Sequence, residues 1–258
     1  QHVWLAIWKV DKDIAKSNSL GMDMLTYVET EFSPKSISAI GINSTVALLY
    51  KLIGFKTKTM NQWFLPNRKI VEPKLIVGDL PERQHCLSNS SGIVMDYEVE
   101  LEGEVQQFLS KCRARRNFSY IVQRYLNHPT YKYNVYVFKK NESAIYAIAV
   151  GRKITVDGAN VLRLTEMFTD SDYSSDLGGS LNVLMERNEC EYIDFLEYGF
   201  APESLIEMGF LKCSDRLFVL HLFEPFVAER SEVKIAFKSD KPFICTKGDS
   251  DLDRPNLG

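Results

Sequence analysis

Few side chains in this sequence could do chemistry, and they lie far apart along the chain. His128, in the run RYLNHPTY, carries an imidazole that titrates near neutrality and could act as a base; a histidine just before Pro129 also suits a packed turn. Glu166, in RLTEMF, could accept a proton or bind a hydroxyl, the alternative being an edge or surface charge. Arg163 stands three residues earlier, and strand alternation predicts that the two side chains face opposite sides. Arg124 and Arg163 could each hold an anionic substrate, Arg124 through a bidentate contact or else as the partner of a carboxylate. Glu197 and Tyr198, at the end of the run YIDFLEY, are weaker candidates of the same sort as Glu166. Asp249, Asp251 and Asp253 alternate like a calcium loop, but Arg254 stands where such a loop needs glycine, so no metal is expected.

The elements that must position these residues follow from composition and pattern. A chain of 258 residues gives a soft expectation of about two domains. A net charge of −3 does not advertise nucleic acid or an anionic membrane as a partner. Apolar runs such as Val3–Trp8 and Ala144–Val150 are far short of the ~20 residues of a membrane helix. No basic, then apolar, leader opens the sequence, and Gln1 in place of Met hints at a trimmed start. Five cysteines without a CxxC pair read as reduced, buried thiols of a cytoplasmic protein, and the four Asn-x-Ser/Thr sequons as chance. A homodimer is left open.

A repeat organises the chain. SISAIGI reads as a strand, 43–53 as a helix, then come Gly54-Phe55 and the strand KTKTMNQWFL. YIDFLEY, the helix Pro202–Met208, Gly209-Phe210 and a strand over 217–223 repeat that order 155 residues later. The same shift sets the strand Val3–Val10 against Gly158–Thr165, and Leu20-Gly21 near Leu177-Gly178. Ser17 or Asn18 could cap the first of these helices, Ser175 or Asp176 the second, and Gly54 and Gly209 sit where a helix end favours positive φ. Helices near 104–115 and 118–126 and strands at 133–139 and 144–155 form a front half that the first copy lacks. The expected organisation is therefore an N-terminal back half over 1–65, a connector over 66–92 and a full copy over 93–258.

These residues resemble the GNAT superfamily of acyl-CoA-dependent N-acetyltransferases, through Asn43, Ala47, Tyr50, Gly54 and Phe55 in the first copy and Pro202, Met208, Gly209 and Phe210 in the second. The segment 120–138 and the tail KGDSDLDRPN are similar to GNAT-type proteins of bacterial surface-polysaccharide clusters. The resemblance implies a tandem GNAT-like α/β (α+β) fold, a mixed central sheet flanked by helices. It implies two parallel strands that splay so that the pantetheine arm pairs with freed backbone, and a pyrophosphate held at the next helix N-terminus. That loop aligns with Lys16, Asn18, Ser19 and Gly21, where Ser19 replaces the family's first glycine. In the second copy Asp170, Asp172 and Asp176 crowd the same place, making the first copy the better donor site. Tyr50 matches the family's general acid for the leaving thiolate, or is a buried aromatic packing its helix. Asn43 matches the CoA-contacting asparagine, or is a helix cap, and both can hold.

The reading is N-acyl transfer from acetyl-CoA or another acyl-CoA to a small-molecule amine, with an amino sugar as the acceptor class and Tyr198, Asp251 and Arg254 near it. The alternatives are a non-catalytic GNAT-like binding module and an aminoacyl-tRNA-dependent transferase of similar fold; the acidic balance argues against the latter.

Overall fold

The run KTKTMNQWFL, read as one strand, forms two strands in different sheets. The break falls at Met60, whose N–H donates to Val233 O at 2.9 Å instead of continuing a ladder. The computed structural model describes residues 2–5, 20–82, 92–112, 116–140, 144–169, 174–223, 227–249 and 253. In chain order its first elements are β1 (His2–Trp4), α1 (Leu20–Phe32), β2 (Ser36–Ile42), α2 (Ser44–Leu52), β3 (Lys56–Thr59), β4 (Asn61–Pro66), β5 (Ile76–Val77) and β6 (Ile93–Asp96). Then come α3 (Glu102–Lys111), α4 (Phe118–Ile121) with a π-helical turn over Val122–Leu126, β7 (Asn134–Lys139), β8 (Ile145–Val156), β9 (Ala159–Thr169), α5 (Ser174–Arg187) and β10 (Tyr192–Tyr198). The last are α6 (Pro202–Glu207), β11 (Leu211–Lys212), β12 (Phe218–Val219), β13 (His221–Phe223), β14 (Val227–Glu229), β15 (Lys234–Ser239) and β16 (Cys245–Thr246).

Two compact units result. Unit 1 comprises 1–60, 232–243 and 248–253; unit 2 comprises 61–231, 244–247 and 254–258. The expected boundaries at 65 and 92 therefore move. β4 belongs to unit 2, and β15, expected in the C-terminal copy, completes unit 1. The stretch from residue 66 is not a bare connector: β5 pairs with β12, and the buried Glu191 carboxylate accepts from the Lys74 and Leu75 N–H groups at 3.0 and 2.9 Å.

In unit 1 the strand order is β1-β2-β15-β3, with β1 and β2 parallel and the other neighbours antiparallel. Leu25 and Val28 of α1, Val46 and Tyr50 of α2, and Ile53 just after it pack with Ile37, Ala39, Phe55 and Ala236. Helical spacing also predicts Met24 in this core, but it is 61% exposed. Asn43 caps α2 by accepting the Val46 N–H at 2.8 Å, and Gly54 follows the helix at φ +86°, a region that favours glycine. The start of β1 is described only through residue 5; the rest of the expected strand to Val10 lies outside the described residues.

In unit 2 the order is β11-β4-β10-β9-β8-β7-β6. Only β9 and β10 are parallel along this path. The parallel pair β9/β10, then β4, then β11 repeats the directions of β1/β2, then β15, then β3. Leu177, Leu181, Leu184 and Met185 of α5 and Leu205 of α6 pack on Leu162, Leu164, Ile193 and Phe195. Val105, Phe108 and Leu109 of α3 and Phe118, Ile121 and Tyr125 pack on Val137, Ile148, Val150 and Phe168, the opposite face by strand alternation. Ser175 and Asp176 lie inside α5 rather than capping it, because the helix begins at Ser174. The strand expected over 158–165 runs over Ala159–Thr169, Gly158 being the turn before it at φ +75°.

Candidate functional site

One extra residue in β9 decides which side chains meet. Val150 pairs with Glu166, but Gly151 pairs with Leu164, so Thr165 is a bulge. Along β8, which has no extra residue, Ile148, Val150, Arg152 and Ile154 point to one face. Their partners on β9 are Phe168, Glu166, Arg163 and Val161. Arg163 and Glu166 therefore share a face, and the expectation from simple alternation is corrected: the bulge consumes one residue of the period.

Glu166 is 2% exposed rather than a surface charge. The Tyr125 hydroxyl donates to its Oε1 at 2.9 Å and the Thr246 hydroxyl to its Oε2 at 3.1 Å, while Arg116 Nε stands 3.8 Å away. Burial, then the Glu166 charge, pushes the Tyr125 hydroxyl well above the ordinary phenol range. On the same face Arg163 donates from Nε to Asp194 at 3.2 Å and from Nη1 to Leu222 O at 2.9 Å. Burial alone would raise the Asp194 carboxyl, but Arg163 and Lys247 outweigh it and hold it below its ordinary value. His221, also buried, is pushed down to about 4 by burial first and by Lys247 and Arg163, against the pull of Asp194. Arg163 is thus a buried ion-pair partner. Tyr125, Asp194, His221 and Lys247 are additions to the sequence-derived set. An aspartate inside the apolar run YIDFL and an arginine inside VLRL are the signals that could have found the pair, because charges seldom enter a covered strand unpaired.

The parallel pairing of β10 with β9 ends at Phe195↔Leu164, beside the bulge. Beyond it the strands part, and β10 turns the vacated edge to another segment. Leu196 O accepts the Lys247 N–H at 3.0 Å, and Glu197 and Tyr198 stand opposite Thr246 and Cys245. Glu197 is at the same time paired with Asn61 of β4, so β16 occupies the β9 side of β10. The fork of unit 2 is filled by the chain itself, with Thr246 reaching across to Glu166. Tyr198 lies in this fork. Glu197 points to the other face, where Trp63, Asn61 and the Phe200 N–H donate to it.

The remaining candidates are dispersed. His128 Nδ1 accepts the Thr130 and Tyr131 N–H groups at 3.2 and 2.9 Å, and its ring stacks on Tyr131, so it organises the turn and carries its proton on Nε2. Arg124 is half-buried in the π-helical turn. In unit 1 Tyr50 is 2% exposed and packs on Phe55 at 4.8 Å between ring centroids; burial pushes its hydroxyl up to about 12. Gly21 lies in the first turn of α1, followed by Asp23. Lys16, Asn18, Ser19, Asp251 and Arg254 lie outside the described residues. Among the described residues no group of three His, Cys, Asp or Glu side chains could hold a metal ion, and no helix is long and apolar enough to cross a membrane.

No protein-family model and no curated protein matches this sequence. Among solved structures the chain is similar to a GCN5-related N-acetyltransferase from Anabaena variabilis, with a TM-score of 0.52 and 8% identity over 86% of this chain and 51% of that one. It is also similar to a conserved protein of unknown function from Enterococcus faecalis, described as a probable N-acyltransferase, with a TM-score of 0.50 and 8% identity over 86% of this chain and 49% of that one. The chain spans about half the length of each. With the sheet order and the fork already in view, the chain has the fold of the GCN5-related N-acetyltransferases.

Proposed function

We propose that the chain transfers an acyl group from acyl-CoA to an amine, that its two units are tandem GNAT-like copies, and that the donor binds in unit 1. The observation that carries this reading is that unit 1 repeats the strand directions of unit 2, whose own fork is filled. Both units place a parallel strand pair around a connecting helix, and in unit 2 the freed edge of β10 is already taken by β16. An edge whose hydrogen bonds are made cannot also pair with a pantetheine arm.

In this reading coenzyme A supplies the activated thioester. Lys16, Asn18, Ser19 and Gly21 receive its pyrophosphate at the N-terminus of α1, where unpaired N–H groups and the helix dipole favour an anion. Asn43 contacts the arm while capping α2. The amine nitrogen bonds to the carbonyl carbon, the carbon–sulfur bond breaks, and the Tyr50 hydroxyl gives its proton to the leaving thiolate and is reprotonated by the proton that the amine nitrogen sheds. A phenol held near 12 keeps that proton at neutral pH until the thiolate forms. Glu166 serves as an anchor rather than as the base, since two hydroxyls engage its oxygens. The acceptor class is an amino sugar of a surface polysaccharide.

Calorimetric titration with acetyl-CoA tests the reading: one site per chain is expected, weakened by Lys16→Glu. The burial of Tyr50 among apolar neighbours favours a second reading, a binding module without catalysis. Absence of heat and of any thermal shift with acetyl-CoA would select it.

A further inference from the structure

Strand β2 carries one residue more than β10, the strand that repeats its place in unit 2. Ile40 stands opposite Ile235 of β15 and Ile42 opposite Lys234, so Gly41 between them is an extra residue, and it takes φ +75°. This is a bulge built on a glycine in the left-handed region. It inverts the parity of the strand's end. Ile37 and Ala39 face the helical layer, and Ile42 joins them there instead of sharing the face of Ser38 and Ile40. Lys234, opposite Ile42, lies on that side too, since its Nζ donates to Ser44 Oγ of α2 at 2.9 Å. In unit 2 the ladder of β10 on β4 runs without a shift from Tyr192↔Pro66 to Glu197↔Asn61. The spacing agrees. Ile37 and Ala39 stand 156 residues before Ile193 and Phe195, which face α5 and α6, whereas Gly54 and Gly209 are 155 apart. The residue gained in unit 1 is Gly41.

We propose that Gly41 is a positioning residue for the acyl-CoA donor, acting through Asn43; the proposal rests on the acyl-transfer reading. A bulge bends its strand and raises the local twist. The described pairing of β1 with β2 runs to Trp4↔Ser38, and the Leu5 N–H donates to Ser38 O at 2.8 Å. The bend falls three residues beyond that point and two before Asn43, the cap of α2. It therefore aims the last peptide groups of β2 and the first turn of α2 together, the two features that would hold the donor's arm. The copy whose fork is filled by β16 has a straight ladder at this place, and the copy assigned to the donor has the bulge. Packing alone does not call for it, because the straight ladder of β10 buries Ile193 and Phe195 completely.

Calorimetric titration of the full chain with acetyl-CoA, beside thermal unfolding of the free chain, tests it. Deletion of Gly41 gives β2 the uninterrupted ladder of β10 and leaves Ile42 on its face, so the free chain should melt close to the parent. The dissociation constant for acetyl-CoA should nevertheless rise at least about tenfold, because the groups that hold the donor are no longer aimed in advance. Gly41→Val, whose branched side chain opposes positive φ, should weaken binding in the same way, and Gly41→Asn, tolerated in the left-handed region, should bind as the parent does. Should the deletion variant fail to fold, the comparison of valine with asparagine decides alone. A lower melting temperature with unchanged affinity would overturn the proposal and leave the bulge a matter of folding, as would an asparagine variant that binds no better than the valine one. A parent that binds no acetyl-CoA overturns the acyl-transfer reading and this proposal with it. A parent that binds while the deletion variant binds equally well overturns this proposal alone.

Discussion

The Tyr125 hydroxyl and the Glu166 carboxylate meet at 2.9 Å inside unit 2, one from a π-helical turn and the other from the strand beside a bulge. The bond ties the helical layer to the sheet at the place where β9 leaves β10. A hydrogen bond to a buried charge is worth about 1.5–3 kcal/mol, and its loss leaves a carboxylate short of a donor. Tyr125→Phe is therefore expected to lower the unfolding free energy by about 2 kcal/mol in urea denaturation. Thr246→Val, which removes the second hydroxyl, should do the same and couple with Tyr125→Phe in a double-mutant cycle. A change under about 0.5 kcal/mol for Tyr125→Phe would show that the carboxylate does not depend on the phenol.

Gly178 sits in α5 because α6 leaves no room for a side chain. A Cβ there would lie 2.5 Å from Met208 O and 2.8 Å from Met208 Cα and C, all backbone atoms that cannot swing away. Gly178→Ala should gain helix propensity of up to about 1 kcal/mol and lose more than that to displacement of the α6 terminus. A net loss of about 1–3 kcal/mol is expected, read as a lower melting temperature. Gly103→Ala is the control: it lies in α3 with nothing within 4 Å of its Cβ, and should stabilise. Equal stabilisation by both substitutions would mean that α5 and α6 are not packed this closely.

What the sequence made legible follows from periodicity, and what it hid follows from interruptions of periodicity. Gly54 and Gly209, 155 residues apart, mark two helix ends, and both take positive φ. The leucines of α5 are buried as their spacing predicts. Thr165 is invisible as a bulge because nothing in RLTEMF distinguishes an extra residue from a paired one, and the parity of Arg163 and Glu166 inverts with it. Met60 is equally silent, since an apolar residue in an alternating run gives no sign that its N–H will leave the ladder for Val233. The pairing of β10 with residues 245–247 joins segments whose sequences carry no mutual signal, so the filled fork emerged only in three dimensions.

Tyr50 separates the catalytic reading from the structural one. The hydroxyl is one group on a buried ring, so Tyr50→Phe keeps the packing on Phe55 and removes the hydroxyl with its proton. If the phenol protonates the leaving thiolate, turnover should fall by ~10²-fold or more with little change in affinity for acyl-CoA. If Tyr50 only packs the core, turnover should be unchanged, and Tyr50→Ala should cost about 3–5 kcal/mol of stability instead.

His221 makes the stability of unit 2 depend on mild acid. In the folded chain its imidazole is held down to about 4, against an ordinary value of 6.5, by burial and by the Lys247 and Arg163 charges. Between those two values the unfolded chain binds a proton that the folded chain refuses, so stability falls as pH drops from 6.5 towards 4. The full difference corresponds to about 3 kcal/mol. Most carboxylates titrate below this window's upper half, but burial raises Glu197, so the difference in slope between the parent and a His221 variant isolates the imidazole. Thermal unfolding followed across that range should show the melting temperature falling in the parent, and His221→Gln should flatten the slope. A parent curve that is level from pH 6.5 to 5, or a variant with the same slope, would mean that the folded chain accepts the proton and that the neighbouring cations do not govern this site.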